Sequence, residues 1–192
     1  GLFPEQASNW DFMIDKISNS KRDIRILNLF AYTGGATLAC MKAGAHVTHV
    51  DSSRGMVDWC KENVSSSKLD PTKVRYIVDD VIKFVQREIR RGNKYDAIIM
   101  DPPSYGRGAN GEVWSLENNL SYLVKICSEI LSEEPLFFLI NSYTTGISST
   151  SLYNMLSIIM DKYNGNISHG EVGIKSKDGF ILPCGIYCRW ES

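Results

Sequence analysis

The chain has 192 residues, 43% of them hydrophobic and 22% charged, which is the size and composition of one ordinary globular domain and excludes a disordered chain. With 21 Lys and Arg against 22 Asp and Glu, the net charge is -1, so no global field draws in a polyanion, and a freestanding nucleic-acid binder would need a local basic patch. No apolar run reaches the roughly 20 residues that cross a bilayer, and the start Gly1-Leu2-Phe3-Pro4-Glu5-Gln6 has neither the charged nor the apolar region of a secretion signal.

The elements follow from the apolar pattern. Phe3 to Ser20 reads as a loop and a helix preceding the first strand. Ile24 to Phe30, His46 to Val50, Val74 to Val78, Tyr95 to Met100 and Pro135 to Ile140 are short β-rich runs. Helical spacing lies between and after them, over Thr37 to Ala43, Arg54 to Val64, Val81 to Arg91, Leu116 to Leu131 and Ile147 to Lys162. Ile167 to Ile174 and Phe180 to Arg189 form a closing hairpin across Asp178-Gly179. Five β-α units and a hairpin predict an α/β fold: a mostly parallel, seven-stranded sheet with helices on both faces and one antiparallel strand at the C-terminal end.

Cysteine usage points to a reducing compartment. The five cysteines are an odd number and most sit in apolar stretches, so they read as reduced thiols of a cytoplasmic protein. Cys184 and Cys188, with His169 the one nearby imidazole, are too few ligands for a structural zinc, and no metal is expected.

In an open α/β sheet, ligands bind at the carboxyl ends of the strands. After the first strand comes Tyr32-Thr33-Gly34-Gly35-Ala36, where glycines allow close backbone approach and a helix presents its free amides. No phosphate-loop or dinucleotide fingerprint is present, and a plain tight turn is the bland alternative. The second strand ends at Asp51-Ser52, where a carboxylate either accepts two ribose hydroxyls or caps a helix. The third ends at Asp79-Asp80, a pair that can divide between an exocyclic amine and a helix cap. The fourth ends at Asp101-Pro102-Pro103, followed by Tyr105-Gly106-Arg107-Gly108: the prolines fix the chain's exit and hold a carboxylate at the sheet edge.

These four signals in order are the layout of a Rossmann-like class I S-adenosylmethionine-dependent methyltransferase, and the chain resembles the ribosomal RNA large-subunit methyltransferase I/K-type family. The resemblance rests on Phe3-Pro4-Glu5-Gln6 with Asn9-Trp10, Leu27 to Ala36, His49-Val50-Asp51, Asp101-Pro102-Pro103, Gly106-Arg107-Gly108, Gly111-Glu112-Val113-Trp114 and Arg189-Trp190. It implies one catalytic domain over 1–192, S-adenosylmethionine (SAM) as methyl donor, S-adenosylhomocysteine (SAH) as product and RNA as acceptor. It also implies a small N-terminal RNA-facing domain outside this chain, consistent with a start at Gly1 rather than Met. Carried over by position, Asp51 binds the ribose, Asp80 or Asp79 the adenine amine, and Tyr32 and Gly34 the methionine end. Thr33, Gly35 and Ser52 flank those positions. Gln6 lies near the donor, and Asp101 and the Pro102 carbonyl face the reacting methyl.

The acceptor is read by elimination. Methylating C5 of a pyrimidine needs a thiolate, which cytosine-C5 members carry after the fifth strand, where this chain has Asn141-Ser142-Tyr143-Thr144. A base nitrogen is the expected target instead, held by Asp101 and the Pro102 carbonyl with Tyr105 or Tyr143 stacking. Ser104 separates Tyr105 from the prolines, a departure from the amino-methyltransferase pattern. A small-molecule or protein acceptor, and a non-catalytic RNA-binding module, are the competing readings. Lys83, Arg87, Arg90 and Lys94 share a helix face that reads mainly as solvated. Lys175 and Lys177 are better placed for an acceptor phosphate, and the Gly106 to Trp114 loop is expected to be a lid.

Overall fold

The computed structural model describes residues 1–108 and 111–192. A short 3-10 turn, Pro4–Gln6, leads into α1 (Ala7–Asn19). Then follow β1 (Arg25–Leu29), α2 (Gly35–Lys42), β2 (His46–Asp51), α3 (Arg54–Ser66), β3 (Val74–Val78), α4 (Val81–Arg91) and β4 (Ala97–Met100). After them come β5 (Tyr105–Arg107), β6 (Val113–Ser115), α5 (Leu116–Ser128), β7 (Phe137–Ser142), α6 (Ser149–Met160), β8 (Asn166–Lys175) and β9 (Ile181–Glu191).

Seven strands form one sheet in the order β3-β2-β1-β4-β7-β9-β8. The first five are mutually parallel, and β9 inserts antiparallel between β7 and β8. The order reverses between β1 and β4, which opens a crevice at their carboxyl ends.

Period-two alternation builds two cores from single strands. Ile26, Ala97, Ile99, Phe137 and Leu139 face one side and pack with Met13, Ile17, Cys40, Met41, Cys60 and Val64 of α1, α2 and α3. Leu27, Leu29, Ile98, Met100, Phe138 and Ile140 face the other and pack with residues of α4, α5 and α6 such as Phe84, Leu123 and Leu156. Each fully buried side chain of this size contributes about 1.5–3 kcal/mol, so the central strands are held mainly by apolar burial.

Two local departures from the sequence reading have physical causes. Tyr95 and Asp96 precede β4 rather than extend it. The Asp96 carboxylate accepts the Arg25 amide at 2.8 Å, Arg22 at 2.7 Å and the Ser132 hydroxyl at 2.9 Å, and so ties three segments below the sheet. The expected open loop Gly106 to Trp114 is instead a two-stranded ribbon, β5 with β6. It is anchored by the Trp114 indole, which donates to the Pro103 carbonyl at 2.7 Å and packs edge-on against Phe30 at 4.8 Å. The part of that loop over residues 109–110 lies outside the described residues.

Candidate functional site

The turn between β1 and α2 holds three left-handed residues: Phe30 (φ 53°), Tyr32 (φ 51°) and Gly34 (φ 94°). Two of them carry side chains, and such conformations are kept only where their surroundings impose them. Here Asp51 does so. Its carboxylate accepts the Tyr32 amide and the Ser53 amide, each at 2.9 Å. Burial pushes the Asp51 pKa up against the lowering effect of those amides. A buried chain braces the turn from below: Asn28 donates to Thr37 at 3.0 Å, and the Thr37 hydroxyl donates to His49 Nδ1 at 2.9 Å. Burial lowers the His49 pKa to about 4, so the ring is neutral. Gly34 is sterically required, because a Cβ there would lie 2.3 Å from Cys60 Sγ.

Two clefts open at this edge and meet at Phe30. The first, about 550 Å³, is lined by residues including Gln6, Trp10, Tyr32, Thr33, Gly35, Asp101 and Asn141. The second, about 440 Å³, is lined by Asp51, Ser52, Asp80, Pro103, Arg107 and Trp114 among others. The two acids after β3 therefore divide. Asp80 caps α4, accepting the Lys83 amide at 2.9 Å, and still lines the second cleft. Asp79 turns to Arg87 in an ion pair and accepts the Asp80 amide.

Asp101 ends β4 in the first cleft and accepts no hydrogen bond among the described residues. Burial, and then the neighbouring Glu5 carboxylate, raise its pKa to about 7. Three remote segments close around it. Gln6 Nε2 donates to the Tyr143 hydroxyl at 2.6 Å, and the Gln6 carbonyl oxygen accepts from Asn9 at 2.9 Å and from Asn141 at 3.2 Å. The Tyr143 ring lies over Gly185, where a Cβ would approach it to 2.9 Å. Burial raises the Tyr143 pKa, and the Asp101 and Glu5 carboxylates add to the rise.

Of the expected site residues, Gln6, Tyr32, Thr33, Gly35 and Asp101 line the first cleft, and Asp51, Ser52 and Asp80 the second. Gly34 caps α2 behind them. Pro102 is buried, and its neighbour Pro103 is the proline at the cleft wall. Tyr105 lies outside both clefts, 55% exposed on β5. The basic face of α4 is largely engaged within the molecule. Lys83 pairs with Glu112 at 2.5 Å, Arg87 pairs with Asp79, and Lys94 donates to the Glu129 carbonyl at 2.6 Å. Sequence reasoning missed Glu5, Phe30 and Trp114 as side chains of the site. All three sit in the motifs that carried the resemblance, and that was the one signal available for them. Among the described residues, no group of three or more His, Cys, Asp or Glu is arranged to hold a metal, and no helix is long and apolar enough to cross a membrane.

Comparison with known proteins places this geometry. A family model for S-adenosylmethionine-dependent methyltransferases matches residues 13–146. The ribosomal RNA large subunit methyltransferase I of Enterobacter sp. (strain 638) is 40% identical over 85 residues, which are 44% of this chain and 22% of that protein. Its counterpart in Escherichia coli O139:H28 is 40% identical over 82 residues, 42% of this chain and 21% of that protein. The crystal structure of the SAM-dependent methyltransferase from Agrobacterium tumefaciens superposes with a TM-score of 0.94 at 39% identity, covering 100% of this chain and 63% of that one. The structure of SMU.776 complexed with SAH superposes with a TM-score of 0.80 at 22% identity, over 98% of this chain and 50% of that one, a likeness of fold. The matched segment is thus about a fifth of the curated relatives' length.

Proposed function

The chain belongs to the S-adenosylmethionine-dependent methyltransferase family, and on that premise we propose that its protein methylates a base nitrogen of ribosomal RNA, not cytosine C5, in the cytoplasm. The enzyme class and the cofactor follow from the family; the acceptor is our reading.

The residues fit the cofactor. Each Asp51 oxygen takes one amide and so keeps a lone pair for a ribose hydroxyl. One Asp80 oxygen caps α4, leaving the other for an exocyclic amine. The first cleft runs from Tyr32 and Gly35 to Asp101 and would hold the methionine end. When bound, the cofactor supplies an electrophilic sulfonium methyl group.

The protein's share is alignment, water exclusion and proton handling. Asp101, as carboxylate, accepts an N–H of the acceptor, orients the nitrogen lone pair and holds the proton that the nitrogen gives up. With its pKa raised to about 7, it is matched to that task near neutrality. The Pro102 carbonyl is the second acceptor in this reading. Tyr143 supplies the aromatic surface, since Tyr105 lies outside the clefts.

The observation that carries the nitrogen reading is Asp101, a carboxylate without a hydrogen-bond partner at an edge that offers no thiolate. Cys40, Cys127 and Cys188 are buried with their pKa values pushed up. Cys60, beneath Gly34, is likewise pushed up to about 12. Tyr143 follows β7 where a catalytic cysteine would stand. Ribosomal RNA is supported by the curated relatives, which carry that substrate in their names.

The test is mass spectrometry of ribosomal RNA nucleosides from cells with and without the full-length protein. One base-N-methylated nucleoside should vanish in the deletion and return with the wild type but not with Asp101→Ala. An unchanged profile, or loss of 5-methylcytidine, contradicts the proposal.

A further inference from the structure

Glu5 belongs to the leading 3-10 turn, yet it is only 9% exposed. The Tyr143 hydroxyl donates to it, and its charge reaches Asp101. Gln6, the next residue, is fixed by Asn9, Asn141 and Tyr143, so the turn cannot easily swing Glu5 away. Two carboxylates therefore share a sheltered site. No Lys, Arg or His side chain lines the first cleft. Such a pair is costly while no cation accompanies it. SAM and SAH carry the same ammonium and carboxylate groups; they differ in a methyl group and in the positive charge on sulfur.

We propose that Glu5 and Asp101 form a carboxylate pair that selects the positively charged sulfonium donor over its neutral thioether by-product, with Gln6 and Tyr143 holding Glu5 in place. The pair gains its missing cation when SAM binds and loses it once the methyl group has gone, which favours exchange of product for fresh donor. This inference rests on placing the reacting end of the cofactor at Asp101, as above.

A pH dependence follows. Asp101 titrates near neutrality because of burial and Glu5, at about 7, and its ionised form is the one that attracts a sulfonium. SAM affinity should rise as pH goes from 6 to 8, whereas SAH affinity should stay flat. The other titratable groups at this cleft are Glu5 on the turn, Tyr143 after β7 and the Gly1 amino group, which donates to the Tyr32 hydroxyl at 3.0 Å.

The test is calorimetry with SAM and with SAH, separately, at pH 6 and pH 8. In the wild type the preference for SAM should grow by about tenfold over that range. Glu5→Gln should lower the preference at pH 8 several-fold and move the midpoint to lower pH. Asp101→Asn should make the preference independent of pH, which assigns the titration to this carboxyl rather than to the Gly1 amine. Should Glu5→Gln fail to fold, Asp101→Asn carries the same test from the other member of the pair. A wild-type preference that ignores pH, or one that Glu5→Gln leaves unchanged, overturns the proposal. Absence of SAM binding by the wild type would instead overturn the placement of the cofactor itself.

Discussion

The two halves of the carboxyl edge are built differently. On the donor side, the ends of β1, β2 and β3 join through short-range hydrogen bonds. Asp51 takes amides from Tyr32 and Ser53, and Asp80 from Lys83. The backbone strain at Phe30 and Tyr32 is held in place by these bonds and by the buried Asn28–Thr37–His49 chain. On the acceptor side, contacts join segments remote in sequence: Gln6 with Tyr143, 137 residues apart, and Asn9 with Asn141, 132 apart. There the carboxylates of Glu5 and Asp101 meet no cationic side chain in the cleft. The side that meets a constant molecule is satisfied before the ligand arrives, and the side that meets charge and chemistry is left unsatisfied, a division expected of a preorganised site.

The sharpest way to break that contrast is at Gly34. Alanine there would bring Cβ within 2.3 Å of Cys60 Sγ at a φ of 94°, and should cost about 3 kcal/mol from overpacking and left-handed strain. Cys60→Ala should restore the packing part but not the conformational part, which thermal denaturation of the double variant would separate. A Gly34→Ala protein that melts like the wild type would show that the donor side is looser than described.

On the acceptor side the expected sign is reversed. The folded state raises the Asp101 pKa to about 7 from the model value 3.8, so it favours the protonated form. Stability therefore falls as pH rises from about 4 to about 7. Asp101→Asn removes that penalty and should stabilise the protein at pH 8 by about 2 kcal/mol, discounted for partial exposure. Near pH 4 it should change little. A destabilised variant at pH 8 would mean that the carboxylate is better satisfied than its surroundings indicate. The smallest effect is expected at the seam between the clefts. Trp114→Phe removes the bond to the Pro103 carbonyl while keeping a ring against Phe30, for about 1 kcal/mol and a few-fold loss of SAM affinity by calorimetry.

The same contrast explains what could be read from the sequence. The sheet and the four strand-end motifs were legible because each lies within one β-α unit, where periodicity and the carboxyl-edge rule apply. Asp79 and Asp80 were not separable: both follow a strand, and only the three-dimensional placement of Arg87 beside Asp79 divides them. The left-handed Phe30 and Tyr32 carry no glycine to announce them. Tyr105 looked like a stacking residue, but Ser104 and the pairing of β5 with β6 carry it outward. Glu5 reads as an exposed acid of a leading loop; its burial depends on Tyr143, well over a hundred residues away, and no local pattern encodes it.

The most direct test of the donor site is calorimetric titration of SAM into the wild type and into Asp51→Ala. Losing two charge-assisted hydrogen bonds to the ribose should weaken binding by at least about 100-fold. Equal affinity in the two proteins would contradict the assignment of this edge as the cofactor site.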